Sequence, residues 1–314
     1  MVKSGIFKTR LPCTGSHEGA GIVVAVGSSQ TSNWSIGDRV MAVIERNKCG
    51  NCPSCTGPEN YRQYCPYVEH GGVTTDGAFA EYMIADGREC IKLPDVIAFD
   101  TAAPLACAGS TIYRALLQTS AQPGEWIAII GSGGGLGHLG IQFGKAMGLK
   151  IIGVDAKPSG LELSKASGAD VVLDASSFSK EALVQKVAEA TSTTHLGVGH
   201  HSGVSSAIVL SEHDSATSLA CAITHIHGTV VQIAQPTNVS VPFRELVFRD
   251  IRLKGSLMCS REEAKEMLKF VTEKKIKVEG KRYHGLKELP QLMKDVHEKK
   301  LKGKGIIIVD SELK

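Results

Sequence analysis

Residues 127–155 read IAIIGSGGGLGHLGIQFGKAMGLKIIGVD, and this stretch decides the fold. An apolar run over 126–130 ends in the glycine cluster 131–137. Leu136, Leu139, Phe143 and Met147 then follow at spacings of three and four, the pattern of a helix with one buried face. Gly148 ends that helix, and a second apolar run over 150–154 closes on Asp155. Strand, glycine turn, helix and strand in this order predict a unit that binds a dinucleotide. The glycines that follow the first run fit G-x-x-G-x-x-G at Gly131, Gly134 and Gly137. The physical requirement is met, because glycines let the backbone turn tightly and approach a pyrophosphate seated on amides at a helix N-terminus. A carboxylate at the end of the second strand accepts both ribose hydroxyls and repels a 2′-phosphate, so Asp155 points to NAD rather than NADP.

Working outward, a chain of 314 residues is long enough for two domains. The net charge of +3 is too small to imply nucleic acid, and the lysine-rich C-terminal part reads as solvated helix faces. No apolar run is long enough to span a bilayer, and no signal-like segment opens the chain. Nine cysteines, an odd number with four tightly clustered, suggest reduced thiols and metal rather than disulfides. The expectation is a cytoplasmic protein without a membrane or nucleic-acid partner.

Before the glycine unit, short β-rich runs over 21–26 and 40–44 with glycine turns predict a small β-barrel-like domain. Residues 76–82 read as a turn into another strand, and residues 100–117 as helical. After Asp155, helices are expected over 161–167, 180–190, 215–226, 261–273 and 289–299. Strands are expected over 171–173, 206–210, 229–233, 251–257 and 306–309, with Gly228 capping the helix before it and a Gly/His-rich loop over 195–203. Strands alternating with helices imply a parallel sheet covered on both faces.

Cys49, Cys52 and Cys55 stand at C-x-x-C-x-x-C spacing, and Cys65 follows after nine residues. Three such thiolates and a fourth from a nearby turn can fill all four tetrahedral positions of Zn²⁺, which makes a structural site. Gly50, Pro53, Gly57 and Pro58 supply the bends.

Ser16-His17-Glu18, the four-cysteine lobe, Cys107-Ala108-Gly109, the glycine loop and Asp155 together resemble the zinc-containing medium-chain alcohol dehydrogenases, in particular the fungal, yeast-like branch. The resemblance runs from about residue 11 to 310. It implies an α/β protein with a GroES-like β-rich catalytic domain, formed by residues 1–109 and 257–314 with the zinc lobe at about 45–68, and a Rossmann cofactor domain over 110–256. It implies hydride transfer between an alcohol and the nicotinamide of NAD, a small alcohol or aldehyde substrate, and a homo-oligomer, dimer or tetramer. By resemblance, His17 and Cys107 are catalytic zinc ligands and Glu18 is the carboxylate beside the metal. Cys49, Cys52, Cys55 and Cys65 hold the structural zinc. Gly131, Gly134, Gly135, Leu136, Gly137 and Asp155 bind NAD, and Lys304 stands where the yeast-like enzymes carry an arginine near the cofactor phosphates.

The sequence departs from that pattern at several points. The family's opening segment, with the first catalytic zinc cysteine and the proton-relay residues, has no counterpart here. Ser16 replaces a glycine, two extra residues precede Cys65, and the loop over 195–206 is longer than usual. Ile44 replaces a pocket tryptophan, which predicts a roomier pocket that prefers bulky or aromatic alcohols to ethanol. With His17 and Cys107 as two of three ligands, Glu18 is the expected third, and Cys13 is the less suitable one because Pro12 stiffens its approach. Zinc below two equivalents, weak alcohol turnover, and an exposed sheet edge on the first domain are then expected. Two competing functions are a catalytically dead dinucleotide-binding homologue and a zinc-independent enone reductase.

Overall fold

The structure, a computed structural model, describes residues 5, 7–58, 61–191 and 202–313. It divides into two units: residues 1–110 with 258–314, and residues 111–257.

In unit 1, β1 (Gly19–Ile22) and β2 (Arg39–Ala42) pair antiparallel with Gly19 opposite Ala42. β3 (Glu45–Arg46) pairs with β4 (Glu69–His70), and β5 (Ile91–Lys92) lies on the far side of β2. The sheet order is β1-β2-β5, and Trp34, Ala42 and Cys90 form its buried core. Between β3 and β4 the chain makes the short helix α1 (Pro53–Thr56). α2 (Phe99–Pro104) runs into a single π turn over Leu105–Gly109, and α3 (Ser110–Thr119) continues from it.

Unit 2 is a six-stranded parallel sheet. Its first half is β6 (Trp126–Ile130), α4 (Gly137–Ala146), β7 (Lys150–Asp155), α5 (Pro158–Ala166) and β8 (Val171–Asp174). Its second half is α6 (Lys180–Thr191), β9 (Val204–Val209), α7 (Ala216–Ile223), β10 (Thr224–Gln232), α8 (Phe243–Val247) and β11 (Arg252–Gly255). The strand order β8-β7-β6-β9-β10-β11 is the doubly wound order 3-2-1-4-5-6. Ile127, Ile129, Ile151 and Ile152 have no exposed surface, as strands covered on both faces require.

The chain then returns to unit 1. α9 (Arg261–Lys274) starts with a capping box between Ser260 and Glu263. β12 (Gly280–His284), α10 (Leu289–His297) and β13 (Lys304–Ile308) form a parallel strand–helix–strand unit.

Three differences from the sequence reading have physical causes. Gly228 does not cap a helix: α7 stops at Ile223 and β10 begins at Thr224, with a register shift between Thr224 and Thr229. His227, at φ +64°, makes the irregularity inside the strand. Residues 76–82 form no strand, 78–82 being bends, and Tyr82 is exposed. β12 went unread because only Tyr283 in it is buried, and one apolar residue among Lys281, Arg282 and His284 leaves no alternation to see. The His-rich loop, with His195, His200 and His201, falls outside the described residues up to 201.

Candidate active site

In unit 2 the loop after β6 sits at the carboxyl end of the sheet, beside the switch point between β6 and β9. Gly131 turns the chain at φ +89°, and its N–H donates to the Val154 carbonyl at 2.8 Å. The Gly133 N–H donates to Asp155 Oδ2 at 2.9 Å. Asp155 Oδ1 accepts the N–H groups of Ala156 and Lys157 at 2.9 and 3.0 Å. One carboxylate thus ties the glycine loop to the end of β7. A Cβ on Gly133 would lie 2.1 Å from the Gly160 Cα, so these two backbones touch only as glycines. Ser164 Oγ holds the Gly160 carbonyl at 2.8 Å and pairs with Ser132 Oγ at 2.7 Å, which fixes the approach.

Gly133, which the spacing G-x-x-G-x-x-G passes over, is the glycine that meets α5. Gly134 has room for a side chain, its nearest neighbour being the Gly131 carbonyl at 3.5 Å. A run this rich in glycine offers several spacings, and only the approach of α5 selects among them. Gly160 carried no sequence signal at all. The N–H groups of Gly135, Leu136 and Gly137, at the start of α4, have no acceptor among the described residues. Unused amides at a helix N-terminus fit a pyrophosphate, and the Asp155 carboxylate fits a ribose diol.

In unit 1 the structure brings two groups of metal-ligating side chains together, each with its ligand atoms within 4.8 Å of one another. The first is Cys49, Cys52, Cys55 and Cys65. Cys49 Sγ and Cys65 Sγ stand 3.6 Å apart; tetrahedral Zn–S bonds of about 2.3 Å need sulfurs about 3.8 Å apart. The Asn51 N–H donated to Cys49 holds that thiol down at about 6, while burial pushes Cys55 up to about 12. Backbone donors aimed at sulfur favour thiolate, the form that binds metal. This donor set fits zinc.

The lobe is anchored by a buried ion network that the cysteine spacing does not reveal. Lys48 Nζ reaches Glu45 Oε2 at 2.5 Å and Glu89 Oε2 at 2.9 Å. Arg62 Nη2 reaches Glu89 Oε1 at 2.9 Å. Glu89 therefore ties the residue beside Cys49 to the residues just before Cys65.

The second group is His17, Glu18 and Cys107. The π turn presents the Cys107 thiol and the Ala108 N–H together, and that N–H donates to Glu18 Oε1 at 3.0 Å. Lys304 Nζ contacts both Glu18 oxygens, at 2.9 and 2.6 Å. Burial pushes the His17 imidazole below its ordinary value; Glu18 opposes this and Lys304 adds to it. A neutral imidazole keeps the lone pair a metal needs. Imidazole, thiol and carboxylate within reach of one another fit zinc, with Glu18 shared between the metal position and its Lys304 partner.

The loop that carries His17 is threaded against residues 71–79. Gly77 N–H donates to the Thr14 carbonyl at 2.8 Å, and Ala78 N–H to the Ser16 carbonyl at 2.9 Å. A Cβ on Gly72 or Gly77 would fall 2.2 or 1.9 Å from the Ser16 carbonyl oxygen. Ser16 itself sits at φ +72°, a conformation glycine adopts freely. Cys13 stays out of the group, its thiol donating to the Thr75 carbonyl at 3.4 Å. His70, which matched no sequence motif, is half-buried on β4; burial lowers its basicity first, then the charges of Lys48 and His17.

Comparisons with known proteins agree with this geometry. The family profile described as zinc-binding dehydrogenase matches residues 135–273, and that of the alcohol dehydrogenase GroES-like domain matches residues 1–95. An alcohol dehydrogenase of Schizosaccharomyces pombe is 35% identical over 271 residues, covering 85% of this chain and 73% of the relative. One of Geobacillus stearothermophilus is 36% identical over 276 residues, covering 86% of this chain and 75% of the relative. The crystal structure of the alcohol dehydrogenase from the archaeon Aeropyrum pernix superposes with a TM-score of 0.82 at 27% identity, covering 97% of this chain and 85% of that one.

Proposed function

We propose, from the premise that this chain belongs to the zinc-binding medium-chain alcohol dehydrogenase family, that it oxidises an alcohol to its aldehyde or ketone with NAD. The observation that supports it most is the convergence of His17, Glu18 and Cys107 from two distant stretches of unit 1. Zinc held there would act as a Lewis acid that makes an alcohol hydroxyl acidic enough to lose its proton near neutral pH. NAD would take the hydride at its nicotinamide.

The chain's own residues do the rest. The amides of Gly135, Leu136 and Gly137 seat the pyrophosphate, with Gly131 and Gly134 shaping the loop. Asp155 orients the ribose and excludes a 2′-phosphate. Lys304 neutralises Glu18 and, by family position, lies near the cofactor phosphates. The four-cysteine lobe holds a structural zinc. Ile44, half-buried on the segment leading into β3, leaves room for bulky or aromatic alcohols. None of the nine cysteines forms a disulfide, which supports a cytoplasmic setting. No helix among the described residues is long and apolar enough to cross a membrane. Homo-oligomer formation completes the reading.

The test is NADH formation by the purified protein across a panel of alcohols, with titration of NADH and NADPH. Aromatic alcohols are expected to outperform ethanol, and Cys107→Ser to remove most of the activity. NADH should bind tighter than NADPH by about 1–3 kcal/mol, the worth of the ribose hydrogen bonds and the charge repulsion, and Asp155→Ala should shrink that gap. Tight NAD binding with no turnover of any alcohol would leave a dinucleotide-binding homologue and overturn the proposal.

A further inference from the structure

Two carboxylates end neighbouring strands at the carboxyl edge of the sheet in unit 2. Asp155 is the last residue of β7 and Asp174 the last of β8, and the two are partners in register. Side chains alternate along a strand, so register partners project from the same face, on strands about 4.8 Å apart. The Ala175 N–H donates to the Asp155 carbonyl at 2.8 Å, which pins the turn after β8 to the end of β7. Asp174 Oδ1 accepts the Ser176 N–H at 2.8 Å and the Ser176 hydroxyl at 2.6 Å. Its Oδ2 accepts the Ser177 hydroxyl at 2.7 Å. These donors, the Ser176 hydroxyl first, hold the Asp174 carboxyl below its ordinary value, so it is ionised at neutral pH. No lysine or arginine among the described residues pairs with either acid. Like charges set side by side, with no cation to offset them, repel an approaching anion. One cation stands close by and unused. Lys157, two residues past Asp155, is exposed, and its ammonium has no partner among the described residues.

We propose that Asp174 is a second determinant of the cofactor, a carboxylate that with Asp155 keeps a 2′-phosphate from Lys157. The inference rests on the reading that the glycine loop binds NAD. A 2′-phosphate takes the place of a ribose hydroxyl that Asp155 would accept. It would therefore meet that carboxylate directly and lie within a strand spacing or two of Asp174, about 5–10 Å. Near neutral pH a phosphate monoester carries roughly two negative charges. Charges at this range lie within the screening length of physiological salt, about 8 Å, or close to it. The two acids differ in what they do. Asp155 both accepts the ribose and repels the phosphate, whereas Asp174 only repels. Removing Asp155 alone leaves one acid beside the phosphate, with Lys157 still offset. Removing both charges frees Lys157 to act as the point charge that a phosphate binds.

Fluorescence titration of NADH and NADPH into the full chain tests this without any turnover. Asp174→Asn is expected to tighten NADPH about five- to tenfold, the size of a charge interaction across a partly solvated edge. NADH affinity should stay within about twofold, because the sugar hydroxyls do not depend on that charge. Asp174→Glu, which keeps the charge, should keep the parent preference. Asp155→Ala should still favour NADH. Asp155→Ala with Asp174→Asn should favour NADPH, and adding Lys157→Ala should remove that gain. Ser177→Lys leaves Asp174 in place and sets a cation against it, so it should also tighten NADPH, and it serves if Asp174→Asn does not fold. Tight NADH binding with NADPH affinity unmoved by Asp174→Asn or by Ser177→Lys would overturn this inference alone. Asn and Glu variants that behave alike would overturn it too, since Asp174 would then only shape its turn. An unmodified chain that binds neither dinucleotide would overturn the cofactor reading and this inference with it.

Discussion

Ser16 holds φ at +72°, in a region that costs a residue with a Cβ about 1–2 kcal/mol. Part of that cost returns in the unfolded chain, where glycine has more freedom to lose. Ser16→Gly is therefore expected to raise stability by about 0.5–1 kcal/mol in urea unfolding. No gain, or a loss, would mean that the Ser16 Oγ bonds to the Glu18 backbone outweigh the strain. Asp295 gives a pH-dependent counterpart. Its carboxylate accepts Lys281 Nζ at 2.7 Å, the Tyr283 hydroxyl at 2.6 Å and Gln291 Nε2 at 2.8 Å. Lys281 first, then Tyr283, hold it well below the ordinary 3.8, at about 2. A carboxyl depressed in the folded state stabilises it above the unfolded value, and that contribution fades as pH falls through the folded value. Asp295→Asn should thus be less stable than the parent at pH 7, with the gap closing between about pH 4 and pH 2. Unfolding curves at stepped pH check this, and a gap independent of pH would contradict it.

At the scale of elements, the four-cysteine lobe shows what spacing conveys and what it omits. The C-x-x-C-x-x-C run was legible because three thiolates on one short turn have few other uses. The anchoring of that lobe by Lys48, Glu89 and Arg62 was not, because a buried ion pair between distant residues leaves no local pattern. Cys52→Ser is expected to lower the melting temperature and remove about one zinc per chain, with NAD affinity unchanged because the cofactor loop belongs to unit 2. Full metal content in that variant would refute the four-cysteine site. The π turn at Leu105–Gly109 was equally silent. An apolar helical run reads the same whether its turns close on the fourth or the fifth residue, yet the wider turn is what sets Cys107 and the Ala108 N–H toward Glu18.

For the whole molecule, the two metal groups should differ in grip. The lobe offers four thiols, one already lowered by backbone donors. The other group offers one thiol, one imidazole, and a carboxylate held by Lys304. Chelator added to the zinc-loaded protein should remove zinc in two phases. The first should abolish alcohol turnover without unfolding, and the second should come with loss of structure. Metal released in a single phase, or unfolding that accompanies the first, would contradict the assignment of the two groups.

The sequence by itself determined the doubly wound unit, the clustering of the four cysteines and the place of Asp155 at the end of β7. Each is written in neighbouring residues, where periodicity and spacing act directly on local geometry. Tertiary structure alone decided the rest. It set Gly133 against Gly160. It placed Lys304 on Glu18 across 286 residues of chain. It left Cys13 on the Thr75 carbonyl rather than in the His17 group. These are contacts between distant segments, fixed by which surfaces pack and which backbone groups stay unpaired, and no local pattern of side chains encodes them.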